Sequence, residues 1–121
     1  MPCSTRLKST TSRRCLHDPG WRAPYPPRIV LHIGEVEKLL PPMNLSIDLA
    51  FIDANKRQYV DYYNLLMPFI APGGYILADN TLWDGHVIDP AYDRDAQTRG
   101  IRAFNDLVRD DERVEKVILP L

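Results

Sequence analysis

The sequence predicts an α/β protein in which short buried strands alternate with amphipathic helices. Residues 47–52 (IDLAFI) and 75–78 (YILA) are almost wholly apolar, which favours strands that are buried on both faces. Apolar residues between these two runs recur at steps of three and four, as on one face of a helix. Alternating strands and helices build a parallel sheet covered by helices. The chain has 121 residues, about the size of one domain, which excludes a two-domain enzyme.

A strand and a short helix open the patterned part of the chain. Residues 29–33 (IVLHI) are apolar apart from one histidine, and Gly34 ends this first strand. Helical spacing follows over residues 36–40 and stops at Pro41 and Pro42, because proline lacks the backbone N–H that a helix needs.

The second strand, residues 47–52, leads into a longer helix. The apolar face of this helix runs from Tyr59 to Ile70 and ends at the Pro-Gly-Gly of 72–74, since proline and glycine terminate helices. Residues 75–78 then form a third strand, which we expect to be the neighbour of the second.

The last predicted elements are a helix and a closing strand. Asp95 is placed to cap the helix N-terminus, and Gly100 inside the helix costs about 1 kcal/mol relative to alanine. Residues 114–119 (VEKVIL) predict the final strand. The helix is expected to turn four apolar side chains inward: Ile101, Phe104, Leu107 and Val108.

Residues 1–28 differ from the rest of the chain in charge and pattern. The first thirty residues carry six basic side chains and one acidic side chain, although the whole chain has a net charge of −1. The segment is rich in proline, serine and threonine and shows no strand or helix period. We therefore expect it to be mobile and the folded domain to span 29–121. A loose tail is the favoured interpretation, because a basic arm for nucleic acid would need more aromatic residues than Trp21 and Tyr25.

Composition indicates a cytoplasmic protein without a membrane segment. Cys3 and Cys15 fit neither a disulfide framework nor a zinc pattern. No run approaches the roughly 18 apolar residues of a membrane helix, and no apolar leader follows the first basic residues. The balanced net charge gives no general attraction to nucleic acid, so binding depends on a local site.

Polar residues follow two of the predicted strands. Asp53 ends the strand at 47–52, and Asp79 with Asn80 ends the strand at 75–78. Sheets of this kind place their sites at the carboxyl ends of the strands. Two carboxylates and an amide oxygen suit Mg²⁺, Mn²⁺ or Ca²⁺ rather than zinc. Each residue alone is more typical of a turn or a helix cap. Only the presence of polar residues at both strand ends makes a metal site as plausible as that structural interpretation.

Further side chains near these strand ends are candidates for a site. Lys56 follows Asp53 by three residues and could act as a general base, although a lone lysine is usually a solvated surface residue. Trp83 could form a wall for a flat substrate or pack in the core. Three tyrosines are expected mainly in the core, with one of them able to face the cleft: Tyr59, Tyr62 and Tyr63.

Three stretches carry specific motifs: FIDANK (51–56), APGGYILADNTLWDG (71–85) and IRAFNDLVRDDERVEKVILPL (101–121). A FIDA-x-K strand end, a PGG turn and an ADN-x-LW strand end in this order and spacing resemble the cation-dependent O-methyltransferases. This is the family of caffeoyl-CoA and catechol O-methyltransferases and their bacterial relatives. The resemblance runs from about residue 28 to residue 121.

The resemblance implies both a fold and a site. The fold is a class I S-adenosylmethionine-dependent methyltransferase sheet, which is Rossmann-like. By position, the family's metal ligands fall on Asp53, Asp79 and Asn80, its catalytic lysine falls on Lys56, and its substrate-flanking tryptophan falls on Trp83.

The resemblance also implies contacts for the methyl donor, S-adenosylmethionine (SAM). These fall on Val36, Asp53 and Tyr62, while Asn55 stands where the family has aspartate. The implied reaction methylates a hydroxyl of a catechol-like small molecule. A divalent cation lowers the hydroxyl pKa and Lys56 takes the proton. The family is commonly dimeric.

The chain departs from the family pattern at both ends. The family's glycine-rich donor loop, the acidic end of its second strand and its final antiparallel strand have no counterpart here. Gly73 and Gly74 are the only close glycines, and they belong to the turn before a strand. The sequence therefore matches the C-terminal half of such an enzyme, lacking the first strands and the last strand, and we expect it to be inactive alone. The alternatives are a non-catalytic remnant that acts as an interaction module through a sheet edge, and a small nucleic-acid binder through the basic segment.

Overall fold

The structure is a computed structural model that describes residues 4–8 and 29–120. Within these ranges it contains four strands and three α-helices, joined in part by short 3₁₀ turns. The strands are β1 (Ser4–Lys8), β2 (Ile29–Ile33), β3 (Ile47–Ile52) and β4 (Ile70–Ala78). The helices are α1 (Val36–Met43), α2 (Tyr59–Leu66) and α3 (Ala96–Asp110). The predicted α/β class is confirmed.

The strands form two parallel pairs rather than one continuous sheet. β1 pairs with β2, and β3 pairs with β4. In the common doubly wound order, the first strand of the fold lies between the second and the fourth. Within the described residues no strand joins the two pairs, so the expected parallel sheet is present only in part.

Side chains alternate between the two faces of the β3–β4 pair, as the pleat of a strand requires. The face that packs against α2 and α3, here called the covered face, holds Ala50, Ile52, Ile76 and Ala78. The opposite face, here called the open face, holds Leu49, Phe51, Tyr75 and Leu77. The four open-face side chains are between 39% and 68% exposed.

The PGG turn lies inside β4 and not before it. β4 begins at Ile70, and its register against β3 shifts between Ile47 and Leu49. Gly73 has a φ of 79°, which favours glycine because it has no Cβ. The predicted strand at 75–78 is therefore the regular part of a longer, irregular strand.

The hydrophobic core lies between the covered face of β3–β4 and the helices α2 and α3. Tyr59 and Tyr63 of α2 both pack edge-on against Phe104 of α3, with ring centroids 5.5 and 5.9 Å apart. Such edge-to-face pairs add to the stabilisation that burial of the rings provides.

Helix α3 begins and packs as predicted. The carboxylate of Asp95 accepts a hydrogen bond from Thr98 N at 2.6 Å, and this bond holds the pKa of Asp95 below its usual value. The predicted inward side chains are buried or partly buried: Ile101, Phe104, Leu107 and Val108. α3 has 15 residues, and no helix in the described part of the chain is long and apolar enough to cross a membrane.

The predicted end of the first helix differs from the structure. α1 continues through Pro41 and Pro42 to Met43, and Asn44, with a φ of 46°, caps its C-terminal end. Proline keeps a helix-compatible φ, and its cost here is the missing N–H of the last turn.

The predicted strand at 114–119 is wrong, because this run is irregular. Val117, Ile118 and Leu119 are between 56% and 79% exposed. A strand needs a neighbour for its backbone N–H and C=O groups. Among residues 4–8 and 29–120, no strand pairs with this run.

β1 is a strand that the sequence does not predict. Its composition, STRLK, is polar, and its partner β2 supplies the pairing from Ser4–Ile29 to Lys8–Ile33. Local composition cannot show such a partner. The rest of the segment that we expect to be mobile, residues 1–3 and 9–28, lies outside the described residues, so its mobility and the boundary at residue 28 stay predictions.

Candidate active site

Lys56 lies where the carboxyl end of β3 turns into α2. A 3₁₀ turn, Lys56–Gln58, joins the two elements, and the Asn55 side chain caps it by accepting a hydrogen bond from Arg57 N at 3.2 Å. Lys56 is 5% exposed. A lysine is rarely this buried, because its ammonium loses hydration unless polar groups replace the water. Lys56 is therefore not an ordinary surface lysine.

Polar and aromatic groups surround the Lys56 ammonium. Nζ donates hydrogen bonds to Tyr59 Oη at 2.5 Å and to Asp53 Oδ1 at 3.3 Å. The ring centroids of Tyr59 and Trp83 lie 4.7 and 5.9 Å from Nζ. The fold thus brings together three residues that the sequence proposes for the site: Lys56, Asp53 and Trp83.

Tyr59 connects this lysine to the ends of both strands. Its side chain is fully buried, and its hydroxyl lies 2.9 Å from the Asp79 carbonyl oxygen and 3.2 Å from the Ile52 carbonyl oxygen. Burial raises the pKa of Tyr59 above its usual value and outweighs the opposite effect of Lys56. The phenol therefore keeps its proton and serves as a hydrogen-bond donor.

Asp53 and Asp79 lie at the same edge of the β3–β4 pair. Ile52 pairs with Ala78, so the two aspartates are the next residues in register. Asp79 N also donates to the Ile52 carbonyl oxygen at 2.9 Å, which extends the ladder to this point. Neighbouring strands lie about 4.8 Å apart, so the two aspartates start from adjacent positions.

Asn80, the third predicted metal ligand, follows Asp79 at this edge. It has a φ of 58°, and its backbone N–H donates to Asp79 Oδ1 at 2.8 Å. Asparagine tolerates this left-handed conformation, so it also has a structural reason to be here. Across the part of the chain that the structure describes, no group of three or more His, Cys, Asp or Glu residues could hold a metal. The three predicted ligands, Asp53, Asp79 and Asn80, are two carboxylates and one amide, and this chemistry fits a hard cation.

Trp83, Val36 and Tyr62 are the remaining predicted site residues. Each of them has different surroundings in the structure. Trp83 is partly buried, packs against the core and meets His86 edge-on at 6.3 Å, so it combines packing with its position near Lys56. Val36 begins α1 after β2 and is partly buried against the hydrophobic core. Tyr62 is 5% exposed, and its hydroxyl donates to Gln58 Oε1 at 2.9 Å.

Gly100 supports the site in a way that the sequence does not show. A Cβ at this position would lie 2.4 Å from the Lys56 carbonyl oxygen and 2.7 Å from Arg57 Cα. α3 can approach the Lys56 turn this closely only because residue 100 has no side chain. A glycine inside a strongly amphipathic helix is the sequence signal for such an approach. The signal for Tyr59 is its spacing of three residues from Lys56, which is one helical turn.

Comparison with known proteins identifies the family. A family model described as O-methyltransferase matches residues 21–121. This chain belongs to the O-methyltransferase family. It is 43% identical over 76 residues to a Dictyostelium discoideum protein named probable caffeoyl-CoA O-methyltransferase 1. It is 40% identical over 83 residues to caffeoyl-CoA O-methyltransferase 2 of Zea mays.

The O-methyltransferase chain spans about a third of the length of these curated relatives. Each match covers 63% of this chain, but 33% of the Dictyostelium discoideum protein and 31% of the Zea mays protein. The resemblance that the FIDANK and ADNTLW motifs carry is confirmed.

Solved O-methyltransferase structures share the fold. The enzyme from Bacillus cereus in complex with SAH has a TM-score of 0.64 and 29% identity, covering 71% of this chain and 40% of the other. TomG from Streptomyces achromogenes in complex with SAM has a TM-score of 0.61 and 27% identity, covering 69% and 39%. The fold is therefore a partial, Rossmann-like sheet of the SAM-dependent O-methyltransferases, as the sequence predicts. This family favours the methyltransferase interpretation over the interaction module and the nucleic-acid binder.

Proposed function

We propose that this O-methyltransferase chain carries the acceptor-activating part of a SAM-dependent and divalent-metal-dependent site. The acceptor is a hydroxyl of a catechol-like small molecule. The observation that carries the proposal is the buried Lys56 ammonium, 3.3 Å from Asp53 at the edge where β3 and β4 end. The names of the caffeoyl-CoA relatives support such an acceptor, since a caffeoyl group has two adjacent phenolic hydroxyls.

Asp53, Asp79 and Asn80 would hold the divalent cation. They supply carboxylate and amide oxygens, which Mg²⁺, Mn²⁺ and Ca²⁺ prefer. Bound there, the cation would act as a Lewis acid and lower the pKa of an acceptor hydroxyl. The two carboxylates would offset the charge of the ion.

Lys56 Nζ, in its neutral form, takes the hydroxyl proton of the acceptor. Tyr59 and Asp53 fix its position, so little ordering is needed when an acceptor binds. The Trp83 ring, with its centroid 5.9 Å from Nζ, offers a flat apolar surface against which an aromatic acceptor can lie.

The chain's contacts to SAM are proposed at Val36, Asp53 and Tyr62. The SAM and SAH complexes of the two solved neighbours support SAM as the methyl donor. Of the three residues, Asp53 contacts Lys56, which would place donor and acceptor at adjoining ends of one site. The homodimer that the resemblance implies and the cytoplasmic location stay predictions.

Mn²⁺ binding to the full chain, followed by water-proton relaxation, tests the metal part of the proposal. We expect one Mn²⁺ site whose affinity falls about tenfold or more in Asp79→Ala, because the ion loses one of two carboxylates. Asp61→Ala is the matched control, since Asp61 is an exposed carboxylate on α2. Equal relaxation enhancement in the wild type and in Asp79→Ala would overturn the metal site.

Titration with 3,4-dihydroxybenzoate tests the acceptor part. Adjacent hydroxyls should displace water from the bound Mn²⁺ and change the relaxation, whereas 4-hydroxybenzoate, with one hydroxyl, should change it less. Equal effects of the two compounds, or no effect of either, would exclude a catechol-like acceptor and leave the metal result unaffected.

A further inference from the structure

Tyr59 contacts three separate parts of the proposed site through one hydroxyl. It is the first residue of α2, it is fully buried, and its ring packs edge-on against Phe104 at 5.5 Å. Its oxygen lies 2.5 Å from Lys56 Nζ, 2.9 Å from the Asp79 carbonyl oxygen and 3.2 Å from the Ile52 carbonyl oxygen. A core tyrosine usually needs one partner for its hydroxyl. Three partners at one point indicate a function beyond filling the core.

The direction of these hydrogen bonds follows from the chemistry of the groups. Carbonyl oxygens only accept, so the Tyr59 proton is directed at the Asp79 and Ile52 oxygens. The phenolic oxygen then acts as the acceptor for the Lys56 ammonium. Lys56 donates a second hydrogen bond to Asp53. The two hydrogen bonds define two of the three directions around Nζ, and the third is the direction in which the lone pair of the neutral amine can take a proton from the hydroxyl of the methyl acceptor.

The same hydroxyl holds the backbone beside both aspartates. Ile52 is the last residue of β3 and precedes Asp53, while Asp79 directly follows β4. The Ile52 carbonyl oxygen also accepts from Asp79 N at 2.9 Å. Tyr59 therefore reinforces the last rung of the strand ladder, at the point from which both carboxylates project.

We propose that Tyr59 is a positioning residue that sets Lys56 Nζ, Asp53 and Asp79 relative to one another. The roles of these three residues rest on the proposed function, but the contacts that place them do not. Removal of the hydroxyl takes away a donor to Asp79 and an acceptor for Lys56, while the ring still packs against Phe104. Tyr59→Phe therefore separates positioning from packing.

Tyr63→Phe is a closely matched control for Tyr59→Phe. Tyr63 lies on the same helix, is 2% exposed and packs edge-on against Phe104 at 5.9 Å. Its hydroxyl donates to Asp111 Oδ2 at 2.9 Å and not to a residue of the proposed site. Both variants lose one buried hydroxyl, and urea unfolding of both measures the stability that each loses.

The first readout is the rate at which Lys56 is reductively methylated in the full chain, followed by peptide mass spectrometry. Lys38, whose side chain is 79% exposed, is the internal reference. We expect the rate at Lys56 relative to Lys38 to rise several-fold in Tyr59→Phe and to keep its wild-type value in Tyr63→Phe. The second readout is Mn²⁺ affinity, which should fall about tenfold in Tyr59→Phe and stay unchanged in Tyr63→Phe.

These readouts separate the failure of this inference from the failure of the proposed function. Wild-type values of both readouts in Tyr59→Phe would overturn the inference and leave the metal site intact. If the wild type binds no Mn²⁺, the metal part of the proposed function fails, and the Lys56 rate alone decides the role of Tyr59.

If Tyr59→Phe does not fold, exchange of the tyrosine hydroxyl protons in the wild type tests the inference that Tyr59 is a positioning residue. In chain labelled with ¹³Cζ-tyrosine, the deuterium isotope shift reports how slowly each hydroxyl proton exchanges. We expect slow exchange at Tyr59 and fast exchange at Tyr75, which is 68% exposed. Equally fast exchange at both tyrosines would overturn the inference.

Discussion

The covered and open faces of the β3–β4 pair have similar side chains and opposite surroundings. Ala50 and Ile52, under α2 and α3, are 9% and 4% exposed, whereas Leu49 and Phe51, their neighbours in the same strand, are 58% and 57% exposed. Parallel sheets normally have both faces covered, and β3 is apolar on both sides accordingly. In β3, the apolar composition thus predicts the strand, while the packed helices determine which of its side chains are buried.

The covered side also supports the proposed acceptor residues. Tyr59 of α2 holds the Lys56 ammonium, and Gly100 of α3 lets that helix press against the Lys56 turn. The glycine-rich donor loop of the family has no counterpart in the sequence, where only Gly73 and Gly74 are close together. We therefore expect the part of the site that binds the methyl acceptor to be ordered, whereas the part that would bind the methyl donor SAM is not.

The largest expected effect is the absence of useful methyl transfer by this chain alone. Nothing in the sequence supplies the loop that would hold SAM in line with the acceptor, and orientation is worth on the order of 7–11 kcal/mol of barrier. The measurement is a labelled-SAM assay with saturating Mg²⁺ and a catechol acceptor, beside Lys56→Ala. Turnover of about 1 per second that is absent in Lys56→Ala would contradict this expectation, because it would show that the chain has an ordered binding site for SAM.

Alanine substitutions on the two faces of β3 test the comparison directly. Ile52→Ala should lower the free energy of unfolding by about 2–5 kcal/mol, because it leaves a cavity under α2 and α3. Leu49→Ala should change it by no more than about 0.5 kcal/mol, since Leu49 is already mostly in water. Urea unfolding measures both. A similar loss at the two positions would show that the open face is covered in solution.

Gly100→Ala tests how closely α3 packs on the covered side. Helix propensity and packing predict changes of opposite sign in the free energy of unfolding. Propensity alone would stabilise α3 by about 1 kcal/mol. The contact of 2.4 Å with the Lys56 carbonyl oxygen instead predicts a net loss of about 1–3 kcal/mol in the free energy of unfolding. Urea unfolding checks the sign, with Arg99→Ala, at an exposed position on the same helix, as the control. A stabilised Gly100→Ala would show that α3 does not press on the turn.

The smallest expected effect is a loss of stability at alkaline pH. Burial, assisted by the hydrogen bond to Asp111, raises the pKa of Tyr63 to about 12. A tyrosine in the unfolded chain ionises near pH 10, so the stabilisation is complete below about pH 10 and is lost as the pH rises toward 12. We expect the free energy of unfolding to fall by on the order of 1–2 kcal/mol over this range. Tyr63→Phe should flatten the profile, and an unchanged profile would show that Tyr63 is solvated.

The sequence by itself determined the family and most of the helices and strands. Periodicity predicts β2, β3, α2 and α3, and Asp95 marks the start of α3, because period and capping depend on residues close along the chain. The motifs around Asp53 and Asp79 indicate the strand ends at which polar groups collect. These features need no knowledge of which segments meet.

Only the tertiary structure decided the features that depend on distant partners. The polar segment Ser4–Lys8 becomes a strand because β2 lies beside it, whereas the apolar run 114–119 does not, because no described strand pairs with it. The hydrogen bond of Tyr59 to the Asp79 carbonyl oxygen and the close approach at Gly100 likewise join segments separated in sequence. The physical reason is common to all four: burial and hydrogen bonding are properties of the surroundings of a residue, and its identity states only what surroundings it can accept.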